Sequence, residues 1–287
     1  MSYRGRFAPS PTGPLHQGSL VAAVASWLDA RAAGGEWLVR IEDVDASRTV
    51  PGAADEILRT LESLGLEWDG DVLWQDTRRG RYEAALQQLA QGGFVYRCRC
   101  SRREVADSAL RGIEGVVYPG TCRDRRLGSE VDGADRFRVP PGATAFTDRL
   151  RGELHQDVAR EIGDFVVKRR DSLHAYQLAV VVDDADQGIT DVVRGADLLW
   201  STPRQVLLQR ALGFPTPRYL HVPVLTNAAG EKLSKQTLAP PVARGDVAAL
   251  RDALAFLRQP LPDAGSPREM LDAATKSWEP QAMAGTI

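Results

Sequence analysis

The chain has 287 residues, 43% hydrophobic and 26% charged, which is enough for one large domain or two modest ones and excludes global disorder. Lys plus Arg is 36 and Asp plus Glu 38, a net charge of −2, so any nucleic-acid surface has to be local. No apolar run is long enough to span a membrane and the N-terminus carries no secretion signal, so no membrane partner and a cytoplasmic location are expected.

Segment 3–7 reads as a short strand, after which Pro9, Pro11, Gly13 and Pro14 break the backbone. The spacing of Leu20, Val24, Trp27, Leu28 and Arg31 predicts a helix over 15–33, stopped by Gly34 and Gly35. A buried strand over 37–41 ends on Glu42 and Asp43, and helices are predicted over 53–64 and 79–90. From 97 to about 151 the chain is rich in Arg, Gly and Pro and loses helical periodicity; it reads as an insertion of short strands and loops. Regular patterning resumes with strands over 165–169, 176–182 and 189–194, the second an apolar run ending in Asp183 and Asp184. A helix over 202–212, a strand over 219–225, a polar loop over 227–236 and two short helices within 243–274 complete the pattern. Alternation of strand and helix builds a parallel sheet.

Two motifs carry chemistry. The first, Arg6-Phe7-Ala8-Pro9-Ser10-Pro11-Thr12-Gly13-Pro14-Leu15-His16-Gln17-Gly18-Ser19, joins the first strand to the first helix, where open α/β sheets bind ligands. His16 falls at the helix start, whose N–H groups and dipole attract anions, and Gly18 lets a base or phosphate come close to the backbone. The second is Glu231-Lys232-Leu233-Ser234-Lys235-Gln236, directly after a strand. Only four lysines exist (Lys168, Lys232, Lys235, Lys276), and two of them lie here, able to reach the phosphates of a nucleotide. Singly, the first motif also fits a Pro-rich turn with a capping histidine, and the second a solvated loop. No G-x-x-x-x-G-K-[ST] or G-x-G-x-x-G sequence occurs, so neither a P-loop nor a dinucleotide site is signalled.

Three cysteines, Cys98, Cys100 and Cys122, cluster in the insertion. In a chain without a secretion signal, an odd clustered set points to zinc, which favours four tetrahedral ligands, or to three packed, reduced thiols. Asp124 is a candidate fourth ligand by its position. The segment 97–126 holds eight Arg and four acids, a local charge of +4 that suits RNA phosphates or a solvated arginine face equally.

Taken together, the two motifs resemble the signatures of the class I aminoacyl-tRNA synthetases, written here as His16-Gln17-Gly18-Ser19 and Lys232-Leu233-Ser234-Lys235-Gln236. Ser19 replaces the second histidine of the family pattern, and Leu233 and Gln236 depart from the second signature; both lysines remain. Arg6 to Gly13, Arg40-Ile41-Glu42-Asp43 and Val193-Arg194-Gly195-Ala196-Asp197-Leu198-Leu199 resemble the glutamyl/glutaminyl branch. The Gly13-to-Leu20 version of the first signature and the set Cys98, Cys100, Tyr118, Cys122 resemble its glutamyl-Q tRNA(Asp) synthetase members.

The resemblance implies an α/β, Rossmann-like catalytic domain with a parallel sheet and helices on both faces, interrupted by a small zinc-containing insertion. Its first half would be 1–96, the insertion 97–160, the second half 161–240, and 241–287 a short helical tail in place of an anticodon-binding domain. It implies glutamate contacts from Arg6, Ala8, Ser10, Glu42, Tyr176 and Arg194. Glu42 would take the ammonium, Tyr176 would donate its hydroxyl, and the two arginines would take the carboxylates in an order the residues leave open. It implies ATP contacts from Pro9, His16, Gly18, Ser19, Lys232, Ser234 and Lys235, with His16 and Lys235 catalytic, and Tyr118 as the fourth ligand of a structural zinc. The implied reaction activates L-glutamate with ATP and Mg²⁺ and transfers it to queuosine in the anticodon of tRNA(Asp). A shortened glutamyl-tRNA synthetase charging the 3′ end of tRNA(Glu), an inactive tRNA- or glutamate-binding paralogue, and another nucleotidyltransferase of the same fold are the alternatives. A monomer is expected.

Overall fold

In the computed structural model, residues 2–106, 111–112, 115–226, 240–261 and 265–284 are described. The first half alternates as the pattern requires: β1 (Arg4–Phe7), α1 (Gln17–Ala32), β2 (Glu36–Ile41), α2 (Ala53–Ser63), β3 (Leu73–Trp74) and α3 (Arg79–Gln91). Next come β4 (Val95–Cys98), α4 (Arg102–Ala106), β5 (Arg111–Gly112), β6 (Gly115–Val116), β7 (Ala134–Phe137), β8 (Thr144–Asp148), β9 (Gly152–Gln156), α5 (Val158–Glu161) and β10 (Val166–Lys168). The chain then forms α6 (Tyr176–Asp186), β11 (Asp191–Gly195), α7 (Thr202–Leu212), β12 (Arg218–Val222), α8 (Val247–Phe256) and α9 (Pro267–Lys276).

Strands β1, β2 and β3 pair in parallel. A second sheet has the order β11-β12-β8-β9, parallel except for the β8–β9 hairpin. The two meet at a seam between β1 and β11, where Thr190 donates its N–H to the Arg4 carbonyl at 2.9 Å. From this seam the chain winds one way to β2 and the other way to β12, which makes it the topological switch point where such sheets bind ligands. A smaller antiparallel sheet, β10-β7-β4, joins β7, from the region expected to be loops and short strands, to β4 at its edge and to β10, which falls in the strand expected over 165–169. Hairpin β8–β9 falls within 97–160, yet β8 belongs to the sheet of β11 and β12.

Alternation along the strands covers both faces of the sheet. Val193, Leu220 and Val222 pack into a core with Leu20 and Val24 of α1, Leu250 of α8 and Leu271 of α9. Val192 and Tyr219, one residue out of phase, pack with Phe146 and with Val206 of α7. The tail is bound to the first helix: Gln17 Nε2 donates to the Ala249 carbonyl at 2.8 Å, and Trp278 Nε1 to Asp29 Oδ1 at 2.8 Å. Among the described residues no helix is long and apolar enough to cross a membrane.

One element differs in kind from the sequence expectation. The apolar run 176–182 is not a strand but the core of helix α6. Leu178, Ala179, Val180, Val181 and Val182 are all buried, so this stretch of the helix is apolar all round and has no polar stripe to give it a helical period. Asp183 and Asp184 therefore sit inside a helix, about two turns beyond Tyr176, and Asp184 faces the buried Arg6 and Arg40 of the neighbouring strands.

Candidate active site

A cleft of about 1040 Å³ opens at the C-terminal ends of β1, β2, β11 and β12, over the seam. Arg6 and the turn residues Ala8, Pro9 and Ser10 line one wall, with His16, Gly18 and Ser19 at the start of α1. Glu42 follows β2, Tyr176 begins α6, and Arg194 lies near the end of β11; all three line the same cleft. The prolines hold the turn extended, and backbone bonds from Glu42 to the Pro9 carbonyl (3.0 Å) and from Val50 to the Pro11 carbonyl (2.9 Å) tie it down.

His16 is the N-cap of α1. Its Nδ1 accepts from the Ser19 backbone N–H at 3.2 Å, leaving Nε2, 2.9 Å from Ser19 Oγ, as the protonated nitrogen. The imidazole thus faces the cleft at the positive end of the helix dipole, a place suited to phosphate.

Beneath Glu42 lies a buried charge network that the sequence reading did not anticipate. Arg40 is fully buried; its Nη1 donates to Asp184 Oδ1 and to Gln187 Oε1, each at 2.8 Å, and its Nη2 lies 3.6 Å from Glu42 Oε1. Burial opposes its charge, but Asp184, Glu42 and Asp183 outweigh that and hold the guanidinium protonated. Asp184 also accepts from Arg6 Nε at 3.1 Å, so one nitrogen of the Arg6 guanidinium is matched by a protein carboxylate. Asp183 accepts from Gln75 (2.7 Å), Tyr82 (2.8 Å) and Arg78 (2.6 Å). The signal for both aspartates was present in the sequence as an acidic pair after an apolar run, but it was placed at a strand end.

Two groups in the cleft suit a charged ligand. Burial pushes the Glu42 carboxyl up to about 7, although Arg40 and Arg6 pull it back. Arg194 donates through Nε to His221 Nε2 at 3.1 Å and through Nη2 to Thr202 Oγ1 at 2.7 Å; its Nη1 is buried with no hydrogen-bond partner among the described residues. A carboxyl group beside cationic side chains and an unmatched guanidinium nitrogen together fit a zwitterion.

Lys232, Ser234 and Lys235 lie outside the described residues. The described chain on either side reaches the cleft: Leu225 lines it, and Pro241 forms a β-bridge with His16.

The cysteines form a separate centre at the end of β4. Their sulfur atoms lie within 4.8 Å of one another, with Cys100 Sγ 3.5 Å from Cys122 Sγ and no disulfide formed. The Tyr118 hydroxyl lies 3.3 Å from Cys98 Sγ and 3.8 Å from Cys100 Sγ. A tetrahedral zinc with bonds near 2.3 Å needs ligands about 3.8 Å apart, so three thiols and this hydroxyl are of the right size to surround one. Asp124 does not join them; its side chain is 91% exposed and pairs with Arg138 at 3.2 Å. Of the arginines in this segment, Arg97 pairs with Asp135 (3.2 Å) and Arg123 with Asp164 (2.6 Å), so part of the local positive charge is neutralised by the protein's own carboxylates.

Comparison with known proteins fits this architecture. Residues 2–273 match the sequence model of the tRNA synthetases class I (E and Q), catalytic domain, and the chain belongs to that family. Proteins named glutamyl-Q tRNA(Asp) synthetase are similar along almost the whole chain. The one from Chromobacterium violaceum is 58% identical over 278 residues, covering 96% of this chain and 93% of that protein. The one from Dechloromonas aromatica is 60% identical over 265 residues, covering 91% and 88%. Among solved structures, a glutamate tRNA ligase from Elizabethkingia meningosepticum in complex with its amino acid superposes with a TM-score of 0.81 at 25% identity, over 99% of this chain and 66% of that one.

Proposed function

We propose that the protein is an ATP-dependent ligase that activates L-glutamate as glutamyl-adenylate and transfers it to the queuosine base in the anticodon of tRNA(Asp). The observation that carries the glutamate step is the meeting of Glu42, Tyr176 and the unpartnered Nη1 of Arg194 in one cleft whose floor begins at the His16 helix end. The acceptor is supported by the relatives of 58–60% identity, whose own lengths this chain covers by about nine-tenths.

In this reading Glu42 takes the substrate ammonium, Arg194 takes one carboxylate with the Tyr176 hydroxyl beside it, and Arg6, braced by Asp184, contributes to the second. ATP enters as its Mg²⁺ complex along Pro9, His16, Gly18 and Ser19. The α-carboxylate oxygen attacks the α-phosphorus; a P–O bond forms and the bond to pyrophosphate breaks. His16, the dipole of α1, and Lys232, Ser234 and Lys235 stabilise the charge gathering on the leaving group. A queuosine hydroxyl then attacks the carbonyl carbon of the anhydride, loses its proton and expels AMP. Holding the reactants in line and matching their charges accounts for most of the rate. Cys98, Cys100, Tyr118 and Cys122 would hold a zinc ion, which supplies a crosslink within the insertion and takes no part in the reaction.

The test supplies radiolabelled glutamate and ATP with tRNA(Asp) containing queuosine, tRNA(Asp) lacking it, and tRNA(Glu). Label is expected only on the first. Label on tRNA(Glu), sensitive to periodate oxidation of its 3′ end, would establish the alternative in which the chain charges the 3′ end of tRNA(Glu). Absence of glutamate-dependent exchange of pyrophosphate into ATP would defeat both.

A further inference from the structure

His221 is fully buried, and no step above uses it. Three neighbouring strands each contribute one residue to a chain of bonds. Asp148, at the end of β8, accepts at Oδ2 both the His221 backbone N–H (2.9 Å) and His221 Nδ1 (2.8 Å). His221 stands directly opposite Arg194 in the register of β12 and β11. Its Nε2 receives the Arg194 Nε–H at 3.1 Å. A guanidinium has no acceptor, so His221 Nε2 carries a lone pair and the proton resides on Nδ1. Thr202, at the start of α7, closes the ring: its Oγ1 accepts from Arg194 Nη2 (2.7 Å) and lies 3.1 Å from His221 Nε2, within reach to donate its hydroxyl. Two of the three guanidinium nitrogens are thereby fixed; the third, Nη1, is buried without a hydrogen-bond partner among the described residues, on a side chain that lines the cleft.

We propose that His221, held as its Nδ1–H tautomer by Asp148, is a positioning residue that with Thr202 aims Nη1 of Arg194 at the substrate carboxylate. The inference rests on the reading of Arg194 as a glutamate contact. The surroundings suit the role. Burial pushes the imidazole down to about 4, aided by the charges of Arg194 and Arg151, while Asp148 pulls the other way; His221 is neutral and accepting at working pH. Asp148 also accepts the backbone N–H groups of Leu150 and Arg151, each at 3.0 Å, so the base of the relay is rigid. Without an acceptor at Nε, the long arginine stem regains rotamers and its buried nitrogen lacks a partner.

The test measures steady-state kinetics and Tm for His221→Phe, His221→Gln, Arg194→Ala and the Phe/Ala double variant. His221→Phe should raise the glutamate KM roughly tenfold or more, with the ATP KM unchanged. His221→Gln, whose amide oxygen can accept from Arg194 Nε, should recover most of the loss. In the Arg194→Ala background, His221→Phe should add less than about twofold, because the residue it acts through is gone. An undiminished second loss in that background, or a His221→Phe loss that falls on the ATP KM alone, overturns the proposal. If Arg194→Ala alone leaves the glutamate KM unchanged, the glutamate reading fails and the positioning role fails with it; if only the His221 variants are silent, the positioning role alone fails. Should His221→Phe not fold, the imidazole nitrogen shifts of the unaltered protein decide: the Nδ1–H tautomer is required, and an Nε2–H tautomer or an imidazolium at pH 7 overturns the relay.

Discussion

Glu42 shows how a single carboxyl can be tuned by what lies under it. It is desolvated, and although Arg40 and Arg6 favour its charge, Asp184 and Asp183 have already absorbed much of theirs, so its midpoint rises to about 7. A substrate ammonium binds the ionised form. The glutamate KM should therefore rise as pH falls through 7, approaching a tenfold rise per unit at the acid side. Glu42→Gln should bind glutamate weakly and lose most of that pH dependence; a profile as steep as that of the unaltered enzyme would show that another group titrates. The linkage to stability has the opposite sign. The folded state keeps this proton over the range from the usual glutamate value to about 7 while the unfolded state releases it, so Glu42's contribution to stability declines as pH rises across that window. At the phosphate end, Lys235→Ala is expected to slow adenylate formation roughly ten- to a thousandfold with little change in glutamate KM, measured by single-turnover pyrophosphate release. Unaltered turnover would remove Lys235 from the mechanism.

At the scale of elements, those announced by punctuation were legible: His16 stands before α1 and Gly34 after it. Helix α6 was not, because burial on every side erases the amphipathic signal that separates a helix from a strand. The same limit applied to the site. Residues within contiguous motifs, such as His16, Glu42 and Arg194, could be nominated from sequence. Those that support them from a distance, Asp148, Asp183, Asp184 and His221, became visible only when strands and a helix distant in sequence were laid side by side, with His221 and Asp148 73 residues apart and Arg6 and Asp184 178 apart. The insertion offers its own prediction. Purified protein should hold close to one zinc per chain, and chelation should lower Tm and expose 97–160 to protease. Tyr118→Phe should weaken zinc retention while Asp124→Ala leaves it unchanged, since the Tyr118 hydroxyl lies among the thiols and Asp124 points to solvent and Arg138. Elemental analysis without zinc would remove the site.

At the scale of the whole molecule, the tail is part of the core on which the cleft rests. Leu271 of α9 is fully buried in the cluster that also contains Leu20, Val193 and Leu220. Leu271→Ala should cost about 2–5 kcal/mol, read from the midpoint of denaturant unfolding, with glutamate KM unchanged under folding conditions. A cost near zero would mean that α9 is merely draped on the surface. Asp29 reinforces the same junction, receiving Arg149 Nη2 at 2.9 Å and Trp278 Nε1 at 2.8 Å, so residues from the beginning, middle and end of the chain converge on one carboxylate.

The seam between β1 and β11 sets a timetable for folding. Arg4 and Thr190, which bond across it, are 186 residues apart, and the cleft above it has no complete wall until both sides have met. Closing so long a loop is slow compared with forming either group of local elements. During refolding from denaturant, helical signal should therefore return before the capacity to bind glutamate. Simultaneous recovery of the two would mean that the seam is already joined when the helices form. A nascent chain faces the same order of events: the Pro9-to-Ser19 turn leaves the ribosome early but must wait for β11 and β12 before it has anything to bind.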